Sequence, residues 1–86
     1  MTAYTIEIKS SAQKELSQLP KLIAEKIVTQ IKMLAENPRP NGCKKLVGTE
    51  HSYRVRVNDY RVVYSIFDRR LIVQVIKVGH RKDVYQ

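Results

Sequence analysis

The clearest structural pattern in the sequence is Tyr53-Arg54-Val55-Arg56-Val57-Asn58-Asp59-Tyr60-Arg61-Val62-Val63-Tyr64, in which two alternating runs flank an Asn-Asp pair. Such a pair between alternating runs predicts a two-residue turn and a β-hairpin. Val57 is then expected opposite Tyr60, and Arg56 opposite Arg61. Because side chains alternate between the two faces of a strand, the hairpin acquires one cationic and one apolar face. The cationic face holds Arg54, Arg56 and Arg61, and the apolar face holds Tyr53, Val55, Val57, Tyr60, Val62 and Tyr64.

The three arginines on one face predict an anion-binding surface. Arginine is an ordinary residue for the solvent-facing side of a hairpin, so any one of the three needs no special explanation. Like charges directly opposite each other on neighbouring strands are destabilising, however, and an anion between them relieves the repulsion. Phosphate is the natural candidate, because the planar guanidinium group binds it through two parallel hydrogen bonds.

Length and charge indicate a single small domain, residues 1–86, with a polyanionic partner. The formal net charge is +8, and the segment 44–86 carries +6 of it. A charge of this sign and size favours nucleic acid or an acidic protein as the partner. The second half of the chain is therefore expected to carry most of the binding surface.

The remaining composition indicates which classes of protein are not expected, namely disulfide-bonded, membrane and metal-binding proteins. Cys43 is the single cysteine, which excludes an internal disulfide. No basic start is followed by an apolar run, and no apolar run reaches membrane-spanning length, so we expect a cytoplasmic protein with no membrane partner. The two histidines are far apart and the acidic residues of the second half lie in or beside turns, so we expect neither a metal site nor a cofactor.

Hydrophobic periodicity predicts an α+β domain of order β-α-α-β-β-β. A strand is expected over 4–9, a helix from an N-cap at Ser10 or Ser11 to Leu19, and a second helix from Pro20 to about Asn37. Three strands follow, over about 52–57, 60–67 and 71–78, and the last is expected to be buried on both faces at the centre of the sheet. The helical hairpin must then cover one face of a small, mostly antiparallel sheet, and the arginines occupy the other. The apolar stripe of the second helix is formed by Ile23, Ile27, Ile31 and Leu34.

The end of the chain adds residue types that move protons or hold phosphate, in Gly79-His80-Arg81-Lys82-Asp83-Val84-Tyr85. Gly79 allows a sharp bend, which would carry His80 and Arg81 toward the rim of the cationic face. Whether His80 points into that face depends on strand register, which the sequence leaves open. His80 is suited to proton transfer near neutral pH.

At these residues the chain resembles the RelE/ParE superfamily of bacterial toxins, and within it the RelE-type messenger-RNA interferases. The resemblance covers essentially the whole chain and lies in the order and spacing of several short motifs. These are Leu34-x-x-Asn37-Pro38, Lys44-Lys45-Leu46-x-Gly48, Tyr53-Arg54-Val55-Arg56-Val57, Asp59-Tyr60-Arg61-Val62-Val63-Tyr64 and Val78-Gly79-His80-Arg81-x-x-Val84-Tyr85.

The resemblance implies a ribosome-dependent endoribonuclease that cleaves messenger RNA in the A site without a metal ion. It also implies a RelB-like acidic antitoxin as partner, in a toxin–antitoxin hetero-oligomer. The positions that match the RelE active site are Arg54, Arg56, Arg61, Arg81 and Tyr85. Better-known members carry lysines where this chain has Arg54 and Arg56, and an arginine cannot act as a general base. Proton transfer therefore falls to Tyr85, to His80, or to the ribosome and the RNA.

Three questions stay open at the level of sequence. Lys44 and Lys45 are adjacent cations in a loop, where contact with ribosomal RNA and simple solubility are equally good interpretations. A ParE-type inhibitor of DNA gyrase shares the fold and needs no nuclease chemistry. A general RNA-binding module is the third possibility, but most tyrosines are expected on the apolar face rather than exposed for stacking on bases.

Overall fold

The protein folds as two helices packed on one face of a five-stranded mixed sheet. A computed structural model describes residues 3–80 of the chain. The sheet order is β1-β5-β4-β3-β2, with β1 and β5 parallel and all other neighbours antiparallel. The elements are β1 (Thr5–Ile8), α1 (Ser10–Ser17), α2 (Lys21–Leu34), β2 (Lys44–Lys45), β3 (Ser52–Val57), β4 (Tyr60–Phe67) and β5 (Ile72–His80). The predicted α+β class is confirmed, and the two-residue strand β2 is an addition to it.

The hairpin between β3 and β4 has the predicted register. Val57 pairs with Tyr60 and Arg56 pairs with Arg61. Asn58 adopts the left-handed conformation, φ 54°, which two-residue hairpin turns favour at the first central position. Asparagine tolerates this conformation better than most residues, so the turn and the register follow from the same dipeptide.

The core lies between the helices and the apolar face of the sheet. Ile27, Ile31 and Leu34 of α2 are buried, in agreement with the predicted stripe. They join the apolar side chains of β3, β4 and β5, and Tyr64 is fully buried among them. This arrangement leaves the opposite face of the sheet to the arginines. Within residues 3–80, no helix is both long and apolar enough to cross a membrane.

Both helices differ from the prediction at their ends. The predicted serine N-cap of α1 is wrong, because Lys9 is the N-cap and makes no side-chain capping bond. The backbone amide of Lys9 still belongs to the sheet, donating to the carbonyl of Val75 at 2.9 Å, so the helix begins immediately after the strand. Helix α2 ends at Leu34 rather than near Asn37, and the amide of Asn37 donates to the carbonyl of Met33 in the turn that follows.

The last strand also differs from the prediction. β4, not β5, is the central strand, and β5 lies between β1 and β4. β5 is buried on one face only, through Val73, Val75 and Val78. Leu71, predicted to start it, adopts φ 56° and belongs to the preceding turn, which a long apolar run cannot reveal.

The segment between α2 and β2 is fastened to the sheet at two points. The hydroxyl of Tyr64 donates to the carbonyl of Pro38 at 2.7 Å in a buried position. Arg39 forms a salt bridge with Asp68 in the β4–β5 turn, Nη2 to Oδ2 at 2.9 Å. These two contacts hold the segment between α2 and β2 against the sheet, although this segment has no regular secondary structure.

Candidate nucleic-acid interface

The cationic face forms a cleft of about 210 Å³ at the Asn58-Asp59 end of the sheet. Strands β3 and β4 supply three arginines to it, and β2 with the loop before it supplies Lys44 and Gly42. Every charged residue lining the cleft is a cation, so an anion is the ligand that this site can hold most favourably. The lining residues are Gly42, Lys44, Arg54, Arg56 and Arg61.

Arg61 is the most enclosed of these cations, with only 6% of its surface exposed. It lies between Arg56 on β3 and Gly79 on β5. The neighbouring position on β5 carries no side chain, because it is a glycine. A charge held away from water acts on a bound anion through a lower effective dielectric, which strengthens the attraction.

Arg56 is more exposed and is oriented by the turn. Its Nε donates to the carbonyl of Asn58 at 3.0 Å, and its Nη2 lies 4.0 Å from Oδ1 of Asp59. The side chain remains 56% exposed. Arg56 therefore keeps a guanidinium edge available at the mouth of the cleft, while Arg61 lies deeper.

The adjacent lysines are separated by the pleat of β2. Lys44 pairs with Arg54 and lines the cleft, whereas Lys45 pairs with Tyr53, whose side chain packs against the core on the opposite face. Both lysines are exposed. Only Lys44 of the two is thus placed with the predicted substrate-binding residues.

His80 lies on the opposite face from the cleft. It pairs with Tyr60, and the two rings are 5.5 Å apart in an edge-to-face arrangement. Both residues line a separate pocket of about 340 Å³ beside Glu15 of α1. This placement does not support the predicted role of His80 in proton transfer at the arginines.

A β-bulge explains why His80 faces the helices. Val63 pairs with Lys77 but Tyr64 pairs with Val75, so Ile76 is an extra residue in β5. Strict alternation from Val75 would put His80 on the cationic face, and the extra residue reverses every later side chain. The bulge also brings Gly79 opposite Arg61.

Two predicted site residues, Arg81 and Tyr85, lie outside the described residues 3–80, and their roles stay predictions. Conversely, Gly42 was not among the predicted site residues, although it lines the cleft. Its φ of 90° is one that side-chain-bearing residues rarely adopt. The Asn41-Gly42 pair was a signal for this turn, but not for its position beside the arginines.

A polar cluster at the far end of the sheet perturbs several ionisable groups. The hydrogen bonds from Arg39 and from the Tyr4 hydroxyl to Asp68 lower the pKa of that carboxyl below its ordinary value. The same carboxylate, as acceptor at 2.6 Å, raises the pKa of Tyr4. Burial raises the pKa of Tyr64, which remains a hydrogen-bond donor to Pro38. Arg39 also lies over the ring of Tyr53, at 5.3 Å from its centroid.

The fold and the cleft together define a small basic α+β protein with a cation-lined cleft on the open face of its sheet. Comparison with known proteins gives the family. Residues 6–85 match the family model described as the ParE toxin of type II toxin–antitoxin systems. The chain belongs to this family, within the RelE/ParE superfamily of toxins, as its sequence motifs indicated.

Named relatives and solved structures agree with this assignment. A putative RelE-like toxin protein of Escherichia coli is 33% identical over 95% of this chain and 90% of its own length. The mRNA interferase toxin RelE of Escherichia coli K12 is 30% identical over 93% of this chain and 85% of its own length. The crystal structure of the toxin–antitoxin complex RelBE2 from Mycobacterium tuberculosis contains a chain that superimposes with a TM-score of 0.83 at 28% identity, covering 94% of each chain.

Proposed function

We propose that this toxin is an endoribonuclease of the RelE type, which cleaves messenger RNA in the ribosomal A site and so arrests translation. The observation that carries the proposal is the cleft in which Arg54, Arg56, Arg61 and Lys44 converge. A relative of 30% identity bears the name mRNA interferase, which supports the same reaction here.

The reaction requires little of the protein beyond positioning and charge. The ribose 2′-oxygen attacks the adjacent phosphorus and loses its proton, the bond from phosphorus to the 5′-oxygen breaks, and that oxygen takes up a proton. The products are a 2′,3′-cyclic phosphate and a free 5′-hydroxyl. Arg61 and Arg56 stabilise the negative charge that grows on the phosphoryl oxygens, an effect that is largest where the donors are already in place.

Proton transfer needs a group other than the arginines, which remain protonated at any working pH. Because His80 lies on the opposite face, we assign proton transfer to Tyr85 or to groups of the RNA and the ribosome. A Tyr85→Phe variant separates these two possibilities. Full activity in that variant assigns the proton transfers to the ribosome and RNA.

Arg61→Ala is the principal test of the proposal. We expect the rate of cleavage on programmed ribosomes, followed by primer extension, to fall by about a hundredfold or more, as is usual when a preorganised donor to the reacting group is removed. Because Arg61 is buried, circular dichroism and the melting temperature must show that the variant folds. The matched control is Arg69→Ala, which removes an exposed cation from the turn at the other end of β4. Wild-type cleavage by a folded Arg61→Ala protein would refute the proposal.

We expect the toxin to depend on the ribosome, because the cleft offers few groups besides its four cations. Four cations hold a phosphate, but none of them aligns a flexible strand for in-line attack. We therefore expect purified toxin to leave naked RNA largely intact at concentrations that cleave ribosome-bound messenger. Rapid digestion of naked RNA would indicate a ribosome-independent nuclease instead.

A second function is favoured by one observation, the match to a ParE family model. A ParE-type toxin would inhibit DNA gyrase and would have no need of a phosphate-binding cleft. The two functions are distinguished by a supercoiling assay with purified gyrase run beside the ribosome assay. Inhibition of gyrase without RNA cleavage would establish the second function.

The partner that we propose is a RelB-like antitoxin of acidic character. The matched structure from Mycobacterium tuberculosis is a toxin–antitoxin complex, and the cationic cleft offers a surface that carboxylates complement. Complementary charge accelerates association and makes it sensitive to salt. A purified complex in which the antitoxin leaves Arg61 accessible to RNA would contradict inhibition by occupation of the cleft.

A further inference from the structure

We infer that Arg39 and Asp68 are positioning residues for the cleft, acting through Lys44. The inference rests on the proposed function for its kinetic readout, and it concerns a salt bridge at the opposite end of the sheet. Asp68 follows β4 in the turn to β5, whereas the cleft lies at the Asn58-Asp59 end of the same strand. The segment 39–44 connects the two ends.

Arg39 is unsuited to binding substrate, because its guanidinium group is already engaged. Nη2 and Nη1 donate to the two carboxylate oxygens of Asp68 at 2.9 and 3.4 Å, and Nε donates to the hydroxyl of Tyr53 at 3.3 Å. The two-point contact fixes the direction of the side chain as well as its distance. The charge of Arg39 is thus balanced by a carboxylate outside the cleft.

Asp68 is the point where three parts of the chain meet. Its Oδ1 accepts a hydrogen bond from the Tyr4 hydroxyl at 2.6 Å, in addition to those from Arg39. Tyr4 precedes β1, Asp68 follows β4, and Arg39 belongs to the loop before β2. The carboxylate therefore ties the irregular loop to a rigid sheet.

The loop needs this attachment because its regular structure is minimal. Between Arg39 and the cleft, the amide of Cys43 donates to the carbonyl of Pro40, and Gly42 sits in a positive-φ turn. The strand that presents Lys44 has only two residues. One further hydrogen bond, from the amide of Leu46 to the carbonyl of Ser52 at 2.9 Å, continues its pairing with β3. A ladder this short holds its register weakly, so the path of the chain from Arg39 contributes to where the lysine lies.

The kinetic test is a double-mutant cycle. Asp68→Asn keeps the shape of the side chain and an acceptor for Tyr4 but removes the charge that holds Arg39. We expect the toxin concentration for half-maximal cleavage on programmed ribosomes to rise by about twofold to fivefold, the range for loss of one exposed ion pair, with the maximal rate nearly unchanged. If the pair acts through Lys44, the effect disappears in a Lys44→Ala background and persists in a Lys45→Ala background. An equal effect in all three backgrounds would overturn the inference.

A second measurement is independent of catalysis. Hydrogen exchange of the backbone amides at 42–45 should accelerate in Asp68→Asn and in Arg39→Gln, while the amides of the β3–β4 hairpin keep their protection. The control is Glu50→Gln, which removes the exposed contact between Glu50 and His51 and should change neither region. If wild-type toxin cleaves no RNA, the proposed function fails but faster exchange at 42–45 still supports the positioning role. Unchanged exchange at 42–45 in both variants refutes that role.

Discussion

At the scale of single residues, the same side-chain type has different functions according to its neighbours. Arg61 is enclosed among cations and glycine on the open face, where an anion is the natural ligand. Arg39 is neutralised by a carboxylate on the other side of the molecule. Counting basic residues in the sequence therefore overstates the number that line the cleft, and the structural neighbours of each residue are needed to separate the two groups.

The partner of Arg39 also predicts a pH dependence of stability. The pKa of Asp68 is lowered in the folded protein, so its contribution to stability is complete above the ordinary aspartate pKa of about 4 and is lost as the pH falls through the folded-state value. We expect the wild type to melt at a higher temperature than Asp68→Asn at pH 7, and the difference to narrow below about pH 4. Thermal melts at several pH values test this, with Asp59→Asn as a control for loss of a carboxylate. A difference that is constant from pH 7 to pH 3 would contradict it.

At the scale of secondary structure, the hairpin was predictable and its surroundings were less so. The Asn58-Asp59 turn and the flanking alternation determine register together, which is why the arginine pairing is confirmed. Strand β2 is too short for any periodicity, so the separation of Lys44 from Lys45 could not be read from the sequence. The bulge at Ile76 likewise leaves no sequence signal in an apolar run, and it decides the face on which His80 lies.

The separation of the two lysines gives a prediction with a built-in control. Lys44→Ala should weaken binding of a single-stranded RNA oligonucleotide, because the residue lines the cleft, and Lys45→Ala should have little effect. The two variants have the same net charge, so a general electrostatic effect would weaken both equally. Fluorescence anisotropy at fixed salt measures the RNA affinities of the two variants. Equal losses of affinity would show that Lys44 contributes no more to RNA binding than Lys45 does.

Helix α2 offers a prediction about the core. Ile31 is 2% exposed, and its replacement by alanine should lower the free energy of unfolding by about 2–5 kcal/mol. Met33 on the same helix is 58% exposed, and Met33→Ala should change it by less than about 0.5 kcal/mol. Urea denaturation measures both, and a small effect at Ile31 would mean that the helix is not packed as described.

At the scale of the whole molecule, the helices and the cleft lie on opposite faces of the sheet. The formal net charge of the chain is +8, and four of its cations, Lys44, Arg54, Arg56 and Arg61, line the cleft on the face that the helices leave open. Such a concentration of charge attracts a polyanion from a distance and orients it toward the cleft. A small domain thereby acquires a directional field without a second domain.

That field predicts a strong dependence of RNA binding on salt. If four cations of the cleft contact phosphates, the logarithm of the binding constant should fall against the logarithm of salt concentration with a slope of roughly −3, since each contact to a single strand contributes about 0.7. Lys44→Ala removes one of these contacts, so the slope should become less steep by about 0.7, to about −2. A slope near zero for the wild type would exclude phosphate contacts as the basis of binding.

The parallel pairing of β1 with β5 has a consequence for how the toxin folds during its synthesis. β1 is synthesised before the other described strands, yet its partner in the sheet is the last of them, β5, which also lies beside Arg61. Contacts so distant in sequence cannot form on a growing chain until the later strand has left the ribosome. A nascent chain from which β5 has not yet emerged therefore lacks the strand that lies beside Arg61, and we expect such a chain to be inactive in the proposed reaction.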